Sequence, residues 1–294
     1  KTITTYSYSD LSNLKFDKNE IIKAAQNYNQ KNFDINKDYK IFLNMVNSLG
    51  NGTTKNLVVK DLDSKNQIAS INSMSLNSFK FDYIDKNKSQ KFLTEFDFDI
   101  SGLDININEI SPEFSNYFAL LGYNSIKFDF GSNYNLSRNN DLNFDLNLGI
   151  TDAASLNFES SFSGLDLDQI NNFNGEALLA YLSGNIRVKK IGLSLLDNSL
   201  RDKLIKFGAD SSNTSIASFK SELIKQMDVY LVSSQKTRLF NQYRQSLINF
   251  INGSKKISIK IEPKTPLSFM EMAPYFINPD VNIIIDKLNL NIKN

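Results

Sequence analysis

Few residues in this chain could do chemistry. Asp97, Asp99, Asp129 and Asp145 sit on alternating runs, and two of them facing each other across a sheet would make an acid/base couple. The same alternation accounts for each of them as the water-facing side of a strand whose other side is phenylalanine. Asp61, Asp63 and Asn66 have the opening spacing of a calcium loop but lack its glycine and its acidic twelfth ligand, so they read as a turn. The run Gly50-Asn51-Gly52-Thr53-Thr54-Lys55 has the residue types of a phosphate loop. It follows a predicted helix instead of opening one and lacks the required spacing, so it reads as a helix stop and turn. The chain has no Cys and no His. That removes thiolate nucleophiles, Cys-ligated metals and the commonest general base. No catalytic set, metal or cofactor is expected, and an enzyme would have to work with Asp, Glu, Lys, Ser or Tyr.

The remaining candidates are apolar. Phe96, Phe98, Phe128, Phe130, Phe144 and Phe158 are the residues expected to touch a hydrophobic ligand, in a chain with 22 Phe. Two outcomes are open. Helices cover the phenylalanine stripes and close an ordinary core, or part of the face stays uncovered as a groove for acyl chains or another hydrophobe.

Elements must position those stripes. From Lys91 to Leu167, Phe96, Phe98 and Ile100 alternate with acidic residues, and Ile126, Phe128 and Phe130 with Lys127 and Asp129. Leu142 to Ile150 and Leu156 to Phe158 repeat the pattern. Side chains alternate between the faces of a strand, so each run has one greasy and one wet side. Arg138–Asp141 and Thr151–Ala154 read as hairpin turns, giving an antiparallel meander. Ser111 as N-cap, Pro112 at the first turn and Gly122 as stop predict a helix between the runs.

Further predicted strands cover Thr2–Tyr8, Asn56–Asp61, Gln67–Tyr83, Ile186–Leu195, Ile257–Ile261 and a last one holding Leu288, Leu290 and Ile292. Further predicted helices cover Asn19–Asn29, Asp38–Leu49, Ser199–Phe207 stopped by Gly208, a stripe from Ile216 to Leu231, another from Leu239 to Ile251, and a Ser268–Phe276 segment broken at Pro274. The phrases FDISGLDIN (98–106) and SSFSGLDLD (160–168) are near copies, each followed by a helix and a strand. In both, apolar parity flips at Ser-Gly, as a β-bulge would produce. Duplicated modules follow from this.

Hydrophobic content of 41% and charged content of 22% are those of a folded domain. Lys plus Arg is 33 against 32 for Asp plus Glu, which argues against nucleic acid as a partner. No run approaches the roughly 18 apolar residues of a transmembrane helix, and no signal peptide is recognisable. The start at Lys1, inside a strand-like run, leads to the expectation that an export signal or anchor has been removed.

The segments 197–227 and 250–269, with Pro279 and a terminal strand, resemble the tail of an uncharacterised family of proteobacterial envelope proteins. Asp197, Leu200, Gly208, Phe250, Ile257, Ile259, Pro263, Pro266 and Phe269 carry the resemblance, and Gly253 replaces a proline of that pattern. The resemblance covers the last third of the chain. It implies an exported, periplasm-facing, β-rich protein broadly similar to the YdgA and AsmA-like groups, and it transfers no catalytic residue.

The expected fold is α+β. Residues 1–195 form repeated antiparallel β modules with helices on the apolar face, and 196–294 a helical section closed by two strands, packed as one unit with the first. The expected function is that of a non-enzymatic envelope protein binding or shielding lipid or a similar hydrophobe. The alternative is a structural module of the envelope that binds another protein.

Overall fold

The computed structural model describes residues 2–5, 8–12, 15–16, 46–48, 51–61, 66–82, 91–106, 112–123, 126–137, 139–166, 169, 175–232, 238–277 and 287–294. Among the described residues the first elements are four short strands, β1 (Thr2–Thr5), β2 (Tyr8–Ser12), β3 (Lys15–Phe16) and β4 (Val46–Ser48). Three long ones follow, β5 (Asn51–Asp61), β6 (Gln67–Asp82) and β7 (Phe92–Ile105). Helix α1 (Pro112–Leu120) leads to β8 (Ile126–Leu136), β9 (Leu142–Ile150) and β10 (Ala154–Ser163). Helix α2 (Gly175–Asn185) leads to β11 (Arg187–Asp197). Three helices come next, α3 (Leu200–Ser211), α4 (Ile216–Val232) and α5 (Arg238–Asn252). The C-terminal part is β12 (Lys256–Ile261), β13 (Leu267–Ser268), α6 (Phe269–Ile277) and β14 (Asn291–Lys293).

The architecture is α+β. The described strands form one 14-stranded sheet whose main path runs β1-β5-β6-β7-β8-β9-β10-β11-β12-β14. Every pairing in it is antiparallel. From β5 to β12 neighbours in sequence are neighbours in space, as the alternating runs and their turns predicted. Asn140 and Asp152 take positive φ in the two hairpin turns, +60° and +62°, where short polar side chains are tolerated. Helix α1 begins at Pro112 and is stopped by Gly122, φ +75°, two residues after its last, Leu120. The Gly122 N–H donates to the Ala119 carbonyl and the Tyr123 N–H to that of Phe118, a Schellman stop.

A crease crosses β5, β6 and β7. On β7 the pairing with β8 slips between Ile100 and Leu103, so Ser101 and Gly102 together oppose Asp129. The flip of apolar parity at this Ser-Gly is therefore a bulge. Gly102 lies at φ +62°, and Asn56, level with it on β5, at φ +51°. The Gly102 N–H that the ladder leaves over donates to Asp129 Oδ1 at 2.9 Å. At the second Ser-Gly the outcome differs. Ser163 ends β10, Gly164 follows at φ +80°, and the slip in the β10–β11 ladder lies between Ser161 and Phe162.

Several expectations are corrected. Val46–Ser48 is a strand paired with β3 and β6, not the end of a helix, and Asn51–Lys55 belongs to β5, not to a turn. The sheet supplies there the hydrogen bonds that local sequence could not reveal. Gly208 does not stop α3, which runs on to Ser211. A Cβ at Gly208 would stand 2.2 Å from Phe219 Cζ, so this glycine lets α4 approach, and the chain turns at Asn213, φ +49°. Helix α6 continues through Pro274 to Ile277. Leu288 precedes β14 and is fully buried beside Val188 and Met272. The predicted helix Asn19–Asn29, Ser111 and Asp63 lie outside the described residues.

The crease gives a direct test. Gly102→Ala meets both left-handed backbone strain and the Asn72 side chain, which a Cβ would approach to 2.2 Å. Gly122→Ala meets the strain alone, with nothing within 4 Å. Urea unfolding is expected to show a loss of about 1–2 kcal/mol for Gly122→Ala. A larger loss is expected for Gly102→Ala, with most of the excess removed by adding Asn72→Ala, which takes away the nearest atoms but keeps a Cβ at 3.1 Å.

Candidate functional site

In an antiparallel pair, residues directly opposite share a face. Phe96 on β7 stands opposite Tyr134 on β8, and Tyr134 opposite Phe144 on β9. The next row is Leu76, Phe98, Ser132, Leu146, Phe158, Leu193, Ile259 and Ile292, crossing eight strands from β6 to β14. Phe130 lies between Ile100 and Leu148, and Phe128 between Leu103 and Ile150. All six predicted phenylalanines thus share one face. With strands about 4.8 Å apart, this apolar wall is about 34 Å wide.

Among the described residues the rings touch in three groups, one of them Phe162 with Phe269 of α6 at 6.2 Å. Phe81, Phe79, Phe96, Phe98 and Phe130 form a chain with successive centroids 5.3, 5.8, 6.1 and 6.1 Å apart. Phe144 and Phe158 form a pair at 6.2 Å. All six predicted phenylalanines are only half-buried, and Leu148 and Leu193 on the same face are each 42% exposed. Sequence reasoning missed Tyr134 in the middle of this wall, where burial pushes its phenol pKa up. Its alternation with Asn133 and Asn135 was the available signal.

One end of the wall is closed. Val188, opposite Phe162, is fully buried with Met272 of α6 and with Leu288, and Phe162, Ile191, Ile261 and Leu267 pack around them. Ser268 and Glu271 fix α6 by a capping box. The Glu271 N–H donates to Ser268 Oγ at 3.1 Å, and the Ser268 N–H donates to Glu271 Oε2 at 2.7 Å. Arg187 Nη1 donates to the same carboxylate oxygen at 3.0 Å and to the Pro266 carbonyl at 3.2 Å. The Ser268 bonds, and then Arg187, hold the Glu271 carboxyl below the usual range.

The carboxylates on the opposite face serve structure. Asp97 and Asp99 both accept from Asn77 Nδ2, at 3.3 and 2.6 Å, and Asp129 holds the crease. Asp145 stands between Asn133 and Glu159, and none of the expected four directly faces another across a ladder. Among the described residues no group of three or more His, Cys, Asp or Glu could hold a metal ion. No described helix is long and apolar enough to cross a membrane.

The polar face also has a depression of about 360 Å³ over β10, β11, β12 and β14, lined by Asn157, Glu159, Ser194, Lys256, Lys260 and Lys293 among others. Sequence reasoning did not find it, because the residues come from four strands far apart in the chain.

Fold and surface define a class: an antiparallel α+β protein whose single large sheet has one apolar and one polar face. Within that class, the chain belongs to a family whose model, described as "Uncharacterized protein", matches residues 147–294. No curated protein matches the chain. The matched segment contains β10 to β14, α6 with its capping box and the polar depression. Of the six phenylalanines, only Phe158 falls within it.

A depressed carboxyl stabilises the folded state above its unfolded pKa and loses that contribution as pH falls through the folded one. The α6 cap is therefore expected to weaken as pH drops below about 4. Methyl NMR of Met272 checks this: its packed environment should loosen in acid, and Glu271→Gln should remove the carboxylate's share of that pH dependence. Ser268→Ala is expected to cost about 1 kcal/mol at neutral pH.

Proposed function

We propose that this protein binds or shields a lipid or similar hydrophobe along the apolar sheet face, without catalysing a reaction. The half-covered wall of phenylalanine and leucine, continuous over eight strands, carries this reading. An acyl chain laid on it would gain about 0.8 kcal/mol per methylene buried. The Phe81-to-Phe130 ring chain and the Phe144–Phe158 pair offer contiguous surface, and α6 stops one end. The bonds that occupy Asp97, Asp99 and Asp129 support a non-enzymatic role. The resemblance of the C-terminal third supports a place in the cell envelope, facing the periplasm. The shared order strand, helix, strand in β7-α1-β8 and β10-α2-β11, with the paired Ser-Gly phrases, supports an origin of the wall by duplication.

A second reading, an envelope module that docks another protein, is favoured by exposed Leu179, Met270 and Ile277 on α2 and α6. A stable crosslinked protein complex formed without any co-purifying hydrophobe would select it.

Lipid extraction and mass spectrometry of the purified protein should recover a stoichiometric hydrophobe; its absence, together with no uptake of a fluorescent fatty acid, overturns the proposal. Leu148→Asp and Leu193→Asp place a charge on the wall at sites already 42% exposed. Losing two or three methylene contacts should weaken fatty-acid binding about ten- to fiftyfold. Leu196→Asp, on the polar face and 41% exposed, is the control and should leave binding unchanged.

A further inference from the structure

We propose that the polar face of β10, β11, β12 and β14 holds a second site, for a phosphate monoester on a hydroxylated carbon skeleton. Its volume, about 360 Å³, is that of a small-molecule site. The floor is built by register. Ser194 on β11 faces Ser258 on β12, which faces Lys293 on β14. Lys256 is two residues from Ser258 and therefore on the same side, diagonal to Lys293.

The charges there fall into two sets. Lys190 pairs with Glu159 at 2.6 Å and Lys260 with Glu262 at 2.7 Å, and each pair is internally neutral. A Cβ at Gly192 would lie 2.5 Å from Glu159 Oε1, so this glycine lets the glutamate fold across β11 toward Lys190. Lys256 and Lys293 enter no ion pair among the described residues. Two uncompensated ammonium groups match a phosphate monoester, which carries a charge of about −1.5 to −2 at neutral pH. The hydroxyl of Ser194 and the amide of Asn157, whose Nδ2 donates to Asn147 Oδ1 and leaves its oxygen open, line the same depression and suit the hydroxyls of the skeleton. Glu159 and Glu262 accept from such hydroxyls, and with both pairs neutral the two remaining lysine charges balance one phosphate, not two. The polar side chains of the site lie on the opposite side of the sheet from the apolar wall, although Leu193 and Ile259 of the wall row also border the depression.

Calorimetric titration of the full chain with glycerol 3-phosphate, against glycerol, tests the site. One molecule per chain should bind, with glycerol inert. The pair Lys256→Gln with Lys293→Gln should lower affinity at least tenfold. Lys220→Gln with Lys225→Gln, the same charge loss on α4, should leave it unchanged. Ser194→Ala, which alters no charge, should lower it about three- to tenfold. Vesicles of phosphatidic acid, against phosphatidylcholine, distinguish a lipid headgroup from a free metabolite. Binding only to phosphatidic acid assigns the headgroup, and binding of glycerol 3-phosphate assigns the soluble source. Failure of both, or equal weakening by the two lysine pairs, overturns the proposal.

Discussion

Register across the antiparallel ladder is the constraint on which the rest of this molecule depends. With a side-chain period of two, a one-residue slip between any two strands would send phenylalanines to water and aspartates under the wall. Eight strands keep the two sides apart although slips occur, and the crease is shared by three of them. Ser101 and Gly102 on β7 are level with Asn72 and Ser73 on β6 and with Lys55 and Asn56 on β5, so all three strands change parity together. Asp129 accepts the N–H that this frees. A second slip leaves Asn77 over on β6, and its amide reaches Asp97 and Asp99. Side chains of the polar face thus satisfy and hold the irregularities that keep the apolar face continuous.

The two faces contribute differently to stability. Aromatic pairs such as Phe79–Phe96 and Phe98–Phe130 are each worth about 0.5–1.5 kcal/mol beyond the area they bury. Ion pairs such as Lys80–Glu95, at 2.7 Å, are exposed and contribute little. The better-shielded charge lies where helices meet the sheet. Asp197 is buried at the end of β11, and its Oδ1 accepts the Arg201 N–H at 2.8 Å, capping α3. The Arg201 guanidinium donates to the carbonyls of Phe250 and Ser254, at 3.1 and 2.8 Å, at the end of α5, and lies over the Phe250 ring. The Ala153 carbonyl accepts from Asn198, Ser199 and Leu200, so the β9–β10 turn seats the same helix.

What could be read from sequence followed the reach of each signal. Alternation is local, and it located β7 to β10 and the shared face of Phe96, Phe128 and Phe144. Hairpin turns and the Pro112–Gly122 helix are local too. The misreadings occurred where a distant partner decides. Gly208 has the chemistry of a helix stop, yet Phe219 determines its use. Asn51–Lys55 has turn composition, yet β2 and β6 give it ladder partners. Leu288 fits an alternating strand, yet Val188 and Met272 bury it before β14 begins. The polar depression needed four strands in register, so no single stretch announced it.

The ends of the sheet bear on how its surfaces are used. Its main path ends in β1, four residues long, and β14, three residues long. Such short edges offer few free backbone groups to a strand from another chain. Among the described residues, faces more than edges are therefore the surfaces with capacity. On the apolar side α6 and Leu288 close the wall at Val188, while Leu148 and Leu193 remain accessible farther along β9 and β11. On the polar side, the same β10, β11 and β12 carry the depression between paired and unpaired charges. A sheet one layer thick thus presents chemically opposite surfaces back to back. The register that excludes charge from the wall also gathers Lys256 and Lys293 behind it.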